Sequence, residues 1–214
     1  MAEPGKKEPA LWGSDDCALW EQALESYTSV IEAQGNEKLA NLDKWYREKL
    51  PALIAEREQP YILLEELEGI AGWKMSRGVW RERNRVLIRG NDPALVEATS
   101  REAFTAVPDP RKPVALLSTL AGVGPATASA ALAAYAPQTY PFFDELVSGQ
   151  MPGMGPVAFT LKYYLAYAEA LRGRAAELSE ACPDRDWTPQ NVSQALWAAS
   201  GGKVAAPAPP DAIF

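Results

Sequence analysis

Residues 118 to 132 read STLAGVGPATASAAL, so that Gly-Val-Gly-Pro separates two runs of helix-forming residues. Pro113 is suited to the start of a short helix, and Gly122 supplies the positive φ that commonly ends one. Pro125 is suited to the first position of the next helix, whose alanines permit close packing. The stretch therefore predicts a tight helical hairpin. The N-terminus of its second helix would point backbone N–H groups outward, which suits a phosphate.

The remaining sequence also predicts helices and contains no convincing pair of strands, so the expected fold class is all-α. Capping residues and prolines predict further helix starts at Ser14, Asn36, Pro60, Asp92 and Thr188. The expected organisation is a disordered N-terminus over 1–12, a single helical domain over 13–202 with the hairpin at 113–135, and a Pro/Ala-rich tail over 203–214.

Composition limits the chemistry that the chain can perform. The 214 residues include no histidine, which excludes a Ser-His-Asp triad, a Cys-His pair and His-ligated zinc. We expect neither a metal nor a cofactor. The two cysteines, Cys17 and Cys182, are too few for a disulfide framework, which favours core thiols in a reducing, intracellular compartment. No apolar run is long enough to span a bilayer, so we expect a soluble protein without a membrane partner.

Positive charge is concentrated in one part of an acidic chain. The net charge is −7, yet residues 73–112 contain nine basic and five acidic side chains. Within WKMSRGVWRERNRVLIRGN, residues 73–91, two tryptophans lie among cations, a composition that suits base stacking and phosphate contacts. The alternative is that both tryptophans belong to the core and the arginines form a solvated face.

The hairpin resembles the helix-hairpin-helix of the DNA glycosylase superfamily, in which Gly-Val-Gly is followed by a Gly/Pro-rich loop and an essential aspartate. Asp144 lies 22 positions after Gly122, beyond a loop that contains Pro137 and Pro141. A Leu-x-Gly-Val-Gly motif alone is weakly specific, and the spaced aspartate makes it more so. The resemblance extends over roughly residues 60–146.

The resemblance implies hydrolysis of the N-glycosidic bond of a damaged or modified base, flipped out of duplex DNA, in base excision repair. Asp144 would be the catalytic residue, because a carboxylate beside C1′ stabilises the positive charge that develops on the sugar. The alternative is that Asp144 only caps a helix that begins at Glu145. The expected phosphate-binding residues are Gly122, Val123, Gly124 and Thr127. The expected substrate-side residues are Trp73, Lys74, Arg77 and Tyr140.

The sequence also departs from this family. Ala126 occupies the position of the Schiff-base lysine of bifunctional members, and the cysteine quartet of the iron–sulfur branches is missing. A monofunctional enzyme of a divergent branch is therefore expected, acting as a monomer, with the nucleus as a compartment that fits DNA repair. One alternative is a catalytically inactive helix-hairpin-helix module that binds DNA or docks a protein. Another is an enzyme that acts on a free nucleoside or other small molecule.

Overall fold

The computed structural model describes residues 11–202, which contain helices and no strand. The helices are α1 (Cys17–Glu25), α2 (Tyr27–Ala33), α3 (Glu37–Lys44), α4 (Leu50–Ala55), α5 (Leu64–Arg77), α6 (Glu82–Arg89), α7 (Pro93–Thr105), α8 (Lys112–Leu117), α9 (Pro125–Tyr135), α10 (Glu145–Ser148), α11 (Leu161–Ala181) and α12 (Pro189–Ala199). A 3₁₀ turn, Leu11–Gly13, precedes α1, and a π-helical segment, Trp45–Lys49, joins α3 to α4. The predicted all-α class is confirmed. Within the described range, no helix has the length and apolar character needed to cross a membrane.

Local capping signals set several helix starts. Asn36, Asp92 and Thr188 each accept a first-turn N–H, and they begin α3, α7 and α12 as predicted. The first helix begins later than expected, because Asp16 caps it in place of Ser14. These starts depend on residues within one helical turn, which is why the sequence reveals most of them.

The predicted start of α5 at Pro60 is wrong. The helix begins at Leu64, where the carboxylate of Glu66 accepts the backbone N–H of Leu63 at 2.8 Å. A carboxylate three residues into the helix thus satisfies a backbone donor at the helix start. Proline at position 60 belongs to the connection that precedes this turn.

The predicted disordered segment 1–12 is too long at its C-terminal end. Leu11 and Trp12 belong to the 3₁₀ turn and pack against the core, so the helical domain begins before residue 13. Both side chains are apolar, and their partial burial favours an ordered turn. The rest of that predicted segment, residues 1–10, and the predicted tail at 203–214 lie outside the described residues.

A disulfide joins two parts of the helical domain that are far apart in the sequence. Cys17, at the start of α1, is bonded to Cys182, just after α11, across 165 positions of sequence. The expectation of two core thiols is therefore wrong, and the cysteine-based inference of a reducing compartment loses its support. Helices α1 and α11 both pack against α12, which brings the two sulfurs together. The spacing of the cysteines in the sequence contains no sign of this packing.

The second helix of the hairpin, α9, lies in the core. It packs against α8, α4 and α5, and all its residues from Ala126 to Ala134 are buried. Small side chains allow these neighbouring helices to approach closely. Val123 is also buried and holds the turn of the hairpin against the core.

The hairpin turn is held against α6 by a close backbone approach. Gly122 has a φ of 76°, and a Cβ at this position would lie 2.6 Å from the carbonyl oxygen of Asn84. The Asn91 side chain accepts the N–H of Ala121 at 2.9 Å and donates to its carbonyl at 3.0 Å. Gly124 differs, because its φ is −106° and a Cβ would meet nothing within 4 Å.

Replacing each glycine with alanine separates these two roles. We expect Gly122→Ala to lower the free energy of unfolding by about 2 kcal/mol or more, from the positive φ and the clash with α6. Gly124→Ala should change it by less than about 1 kcal/mol. Chemical denaturation of both variants measures the difference, and equal losses would contradict the assignment of the close approach to Gly122.

Candidate functional site

A cleft of about 320 Å³ opens beside the hairpin. Three parts of the chain contribute most of its lining: the end of α5 and the turn after it, the start of α9, and the segment that leads into α10. Its volume lies at the lower end of the range of about 300–1,000 Å³ that is typical of small-molecule sites. The lining includes Lys74, Arg77, Arg81, Thr127, Phe143 and Asp144. Charged groups and aromatic rings thus share one concave surface.

The structure brings together predicted residues that are far apart in the sequence. Lys74 and Arg77 line the cleft with Asp144, and Arg77 Nη2 lies 3.0 Å from Asp144 Oδ2. Gly124 and Thr127 of the hairpin line the same cleft. The other two residues predicted to bind phosphate do not line it: Gly122 packs on α6, and Val123 is buried.

Trp73 and Tyr140 belong to the core and not to the cleft, so the structure does not support their predicted substrate-side position. Trp73 is 1% exposed, and its ring stacks on Tyr46 with 3.7 Å between the centroids. Tyr140 is fully buried and donates to the carbonyl of Asp109 at 2.7 Å. On a helix, successive side chains are rotated by about 100°. Lys74 can therefore face the cleft while Trp73 faces inward.

Asp144 both caps a helix and faces the cleft. Its Oδ1 accepts the backbone N–H of Leu146 at 2.9 Å, at the start of α10, and its Oδ2 accepts from Arg77. The residue is 8% exposed, and it lines the cleft. The two alternatives suggested by the sequence are therefore not exclusive. The cap and the ion pair together hold the carboxylate in one orientation.

Arg77 is buried among groups that compensate its charge. Besides Asp144, it donates to the hydroxyl of Tyr27, and its Nη1 lies 4.0 Å from Asp43 Oδ1. Its guanidinium carbon lies 4.2 Å from the ring centroid of Trp197. Burial alone would lower the pKa of Arg77, but Tyr27 and the two carboxylates outweigh this effect and raise it above its ordinary value. Arg77 therefore remains protonated.

Asp43 is a structural partner that the sequence analysis missed. It is 1% exposed and accepts hydrogen bonds from Tyr27 at 2.8 Å and from the Trp73 indole at 2.9 Å. A signal was present, because Leu39, Asp43 and Tyr46 recur at helical spacing on one face. A carboxylate within an otherwise apolar face requires a buried partner.

Phe159 is a residue of the cleft that had no sequence signal. It lies in the segment between α10 and α11, is 51% exposed, and its ring centroid lies 5.3 Å from that of Phe143. An isolated aromatic residue in a Gly/Pro-containing segment does not indicate which surface it joins.

Lys74 presents an amine without a partner. It is partly buried, lines the cleft, and forms no hydrogen bond or ion pair within residues 11–202. Burial, assisted by the positive charge of Arg81, lowers the pKa of Lys74 to about 8. A substantial fraction of this amine is therefore neutral just above neutral pH.

The lowered pKa predicts a pH-dependent stability difference. Lys74→Met should raise the free energy of unfolding by about 1–2 kcal/mol at pH 7, because the native state no longer holds a partly buried ammonium. Between pH 8 and the ordinary pKa of 10.5, the unfolded wild type binds more protons than the native one. Wild-type stability therefore rises across this interval, and the advantage of the variant shrinks.

Chemical denaturation at pH 7 and pH 10 measures this change. The exposed Lys162, which does not line the cleft, provides the matched control Lys162→Met. If Lys74→Met gained the same free energy of unfolding over wild type at both pH values, the charge of Lys74 would not be what destabilises the native state.

Comparison of the chain with known protein families, with curated proteins and with solved structures finds no match. The function must therefore be inferred from the cleft and from the resemblance carried by the hairpin and Asp144.

Proposed function

We propose that the cleft hydrolyses the N-glycosidic bond of a damaged or modified base in DNA, as a divergent helix-hairpin-helix glycosylase. The observation that carries this proposal is the position of Asp144, a fixed carboxylate in a cleft that the start of α9 also lines. Duplex DNA would be the partner of a monomeric enzyme, and the nucleus a fitting compartment.

The chemistry requires negative charge beside the sugar. As the bond between C1′ and the base breaks, positive charge develops on the sugar ring, and a nearby carboxylate stabilises it. Each oxygen of Asp144 accepts one donor, which leaves lone pairs for a water molecule or the sugar. Pairing with Arg77 shares the negative charge of the carboxylate with a guanidinium and reduces its nucleophilicity. This arrangement favours charge stabilisation or water positioning over covalent attack.

Aromatic side chains supply a surface for a flat base. Phe142, Phe143 and Phe159 all line the cleft; Phe159 is half-exposed, whereas Phe142 and Phe143 are buried behind its surface. An extruded base is held by stacking against such rings, which offsets part of the cost of removing it from the duplex.

Backbone groups and cations of the cleft suit a phosphate. Gly124 precedes α9 and has no side chain to cap it, so the N-terminus of this helix is open toward the cleft. Lys74 and the exposed Arg81 add positive charge to the same lining. Helix N-termini and cations both favour a phosphodiester.

The first test concerns Asp144→Asn. This substitution keeps the shape of the side chain and a helix cap but removes the charge, so we expect base release to fall by about 100-fold or more. The measurement is single-turnover release of free base from a panel of lesion-bearing duplexes, with alkali used to reveal abasic sites. Affinity for the same duplexes should change little.

A matched control is needed because the substitution also removes one carboxylate from buried Arg77, at a cost of about 3 kcal/mol in stability. Asp43→Asn removes the other carboxylate, and Asp43 does not line the cleft. Both variants are assayed below their unfolding temperatures. Base release that is lost equally in both would assign Asp144 a structural role only. Wild type that binds duplex DNA and releases no base from any lesion would favour the inactive DNA-binding module.

The second test concerns the hairpin. Gly124→Leu should lower affinity for duplex DNA about tenfold, because the side chain obstructs hydrogen bonds from the start of α9 to phosphate. The loss should be similar for all sequences, since phosphate contacts carry no base information. Gly173→Leu is the control: this exposed glycine on α11 also has open space around a Cβ and does not line the cleft. Unchanged affinity of Gly124→Leu at low salt would exclude this turn from DNA binding.

A further inference from the structure

The cleft contains hydrogen-bond donors that the described chain leaves unpaired. Lys74, near the end of α5, lines the cleft and has no hydrogen bond or ion pair among residues 11–202. Arg77 also lines it and is 5% exposed; its two terminal nitrogens have partners, but its buried Nε has none within the same residues. A buried donor without an acceptor costs free energy. Unpaired donors at a concave surface therefore indicate a ligand that supplies acceptors.

These donors suit a terminal phosphate. Lys74 has a pKa of about 8, so most of its amine is protonated at pH 7 and can donate three hydrogen bonds. The exposed Arg81 and the open N-terminus of α9, which follows Gly124, line the same cleft. A phosphate monoester has three terminal oxygens and nearly two negative charges, whereas a phosphodiester has two such oxygens and one charge. The monoester can therefore satisfy more of these donors.

An exposed aromatic ring supplies a second requirement. Phe159 lies in the segment between α10 and α11, lines the cleft and is 51% exposed. Its ring centroid lies 5.3 Å from that of Phe143, with the two planes tilted by 42°. A flat aromatic group that stacks on Phe159 removes apolar surface of both rings from water. The ligand should therefore contain a flat ring as well as a phosphate.

Asp144 supplies a third requirement, because its oxygens can accept more hydrogen bonds. Each of them accepts one donor from the protein, which leaves lone pairs at a residue that lines the cleft. The ribose of a free nucleotide has hydroxyl donors at the 2′ and 3′ positions. A nucleotide inside a DNA strand has no 2′ hydroxyl, and its 3′ oxygen is esterified, so its sugar cannot donate. The carboxylate therefore favours a free ribonucleotide as a ligand.

We propose that the cleft binds a free ribonucleoside 5′-monophosphate, with its base on Phe159, its ribose hydroxyls on Asp144, and its phosphate at Lys74 and the start of α9. A nucleotide combines in one molecule the three chemical groups that the cleft lining favours. The cleft volume of about 320 Å³ suits one small ligand. Stacking on a phenyl ring is possible for every base, so it does not select one. This inference concerns binding alone and does not depend on the proposed hydrolysis.

The test is isothermal titration calorimetry at pH 7 with the full chain and adenosine 5′-monophosphate (AMP) as the probe. Three related compounds each lack one of the proposed contacts. Ribose 5-phosphate has no base, adenosine has no phosphate, and 2′,3′-dideoxyadenosine 5′-monophosphate has no hydroxyl on the sugar ring. We expect AMP to bind with one molecule per chain and each of the other three to bind about tenfold or more weakly.

Two substitutions assign the base and the phosphate to their places in the cleft. Phe159→Ala should lower the affinity for AMP about tenfold and leave that for ribose 5-phosphate unchanged. Lys74→Met should lower the affinity for AMP about tenfold and leave that for adenosine unchanged. The matched controls are Leu95→Ala and Lys162→Met, at exposed residues that do not line the cleft, and both should bind AMP as wild type does.

Several results would overturn the proposal. These are no binding of AMP at millimolar concentration, equal binding of AMP and any of the three related compounds, or unchanged affinity for AMP in either Phe159→Ala or Lys74→Met. The outcome is separable from that of the base-release assay. AMP binding by a protein that releases no base from lesion-bearing duplexes would support this site and contradict the proposed hydrolysis. Base release by a protein that does not bind AMP would do the reverse.

Discussion

Arg77 carries a positive charge into the interior of the helical domain, where a guanidinium without partners would be strongly destabilising. Its compensating groups come from four other parts of the chain: Tyr27 of α2, Asp43 of α3, Asp144 before α10, and Trp197 of α12. These groups belong to elements that are distant in sequence, so neutralising the charge of Arg77 requires those elements to pack around it. The cleft lies where one of the two carboxylates, Asp144, approaches solvent.

This constraint engages both oxygens of Asp144: Oδ1 caps α10, and Oδ2 pairs with Arg77. In the proposed reaction, a carboxylate ordered in this way would need no free energy of binding to orient it. The same pairing would partly neutralise the charge that the proposed developing cation would use. Asp43 reduces this effect. It also compensates the positive charge of Arg77, and it does not line the cleft.

Two cations on the same helix behave differently because of their side-chain chemistry and their partners. The planar guanidinium of Arg77 has several donors, contacts two carboxylates and remains charged. Lys74, one turn earlier, has a single amine without a partner among the described residues, and burial lowers its pKa. The partners of Arg77 thus keep it charged despite its burial, whereas burial makes the charge of Lys74 dependent on pH.

The sequence by itself determined the features that depend on neighbours along the chain. These are the all-α class, most helix caps, the positive φ of Gly122 and the alanine-rich helix that packs in the core. Only the tertiary structure decided which distant residues meet, including the disulfide and the buried position of Trp73. Asp144 illustrates the division: its capping role follows from local spacing, whereas its pairing with Arg77 spans 67 positions. Local backbone preferences act within a few residues, but the partner of a buried charge depends on how the helices pack.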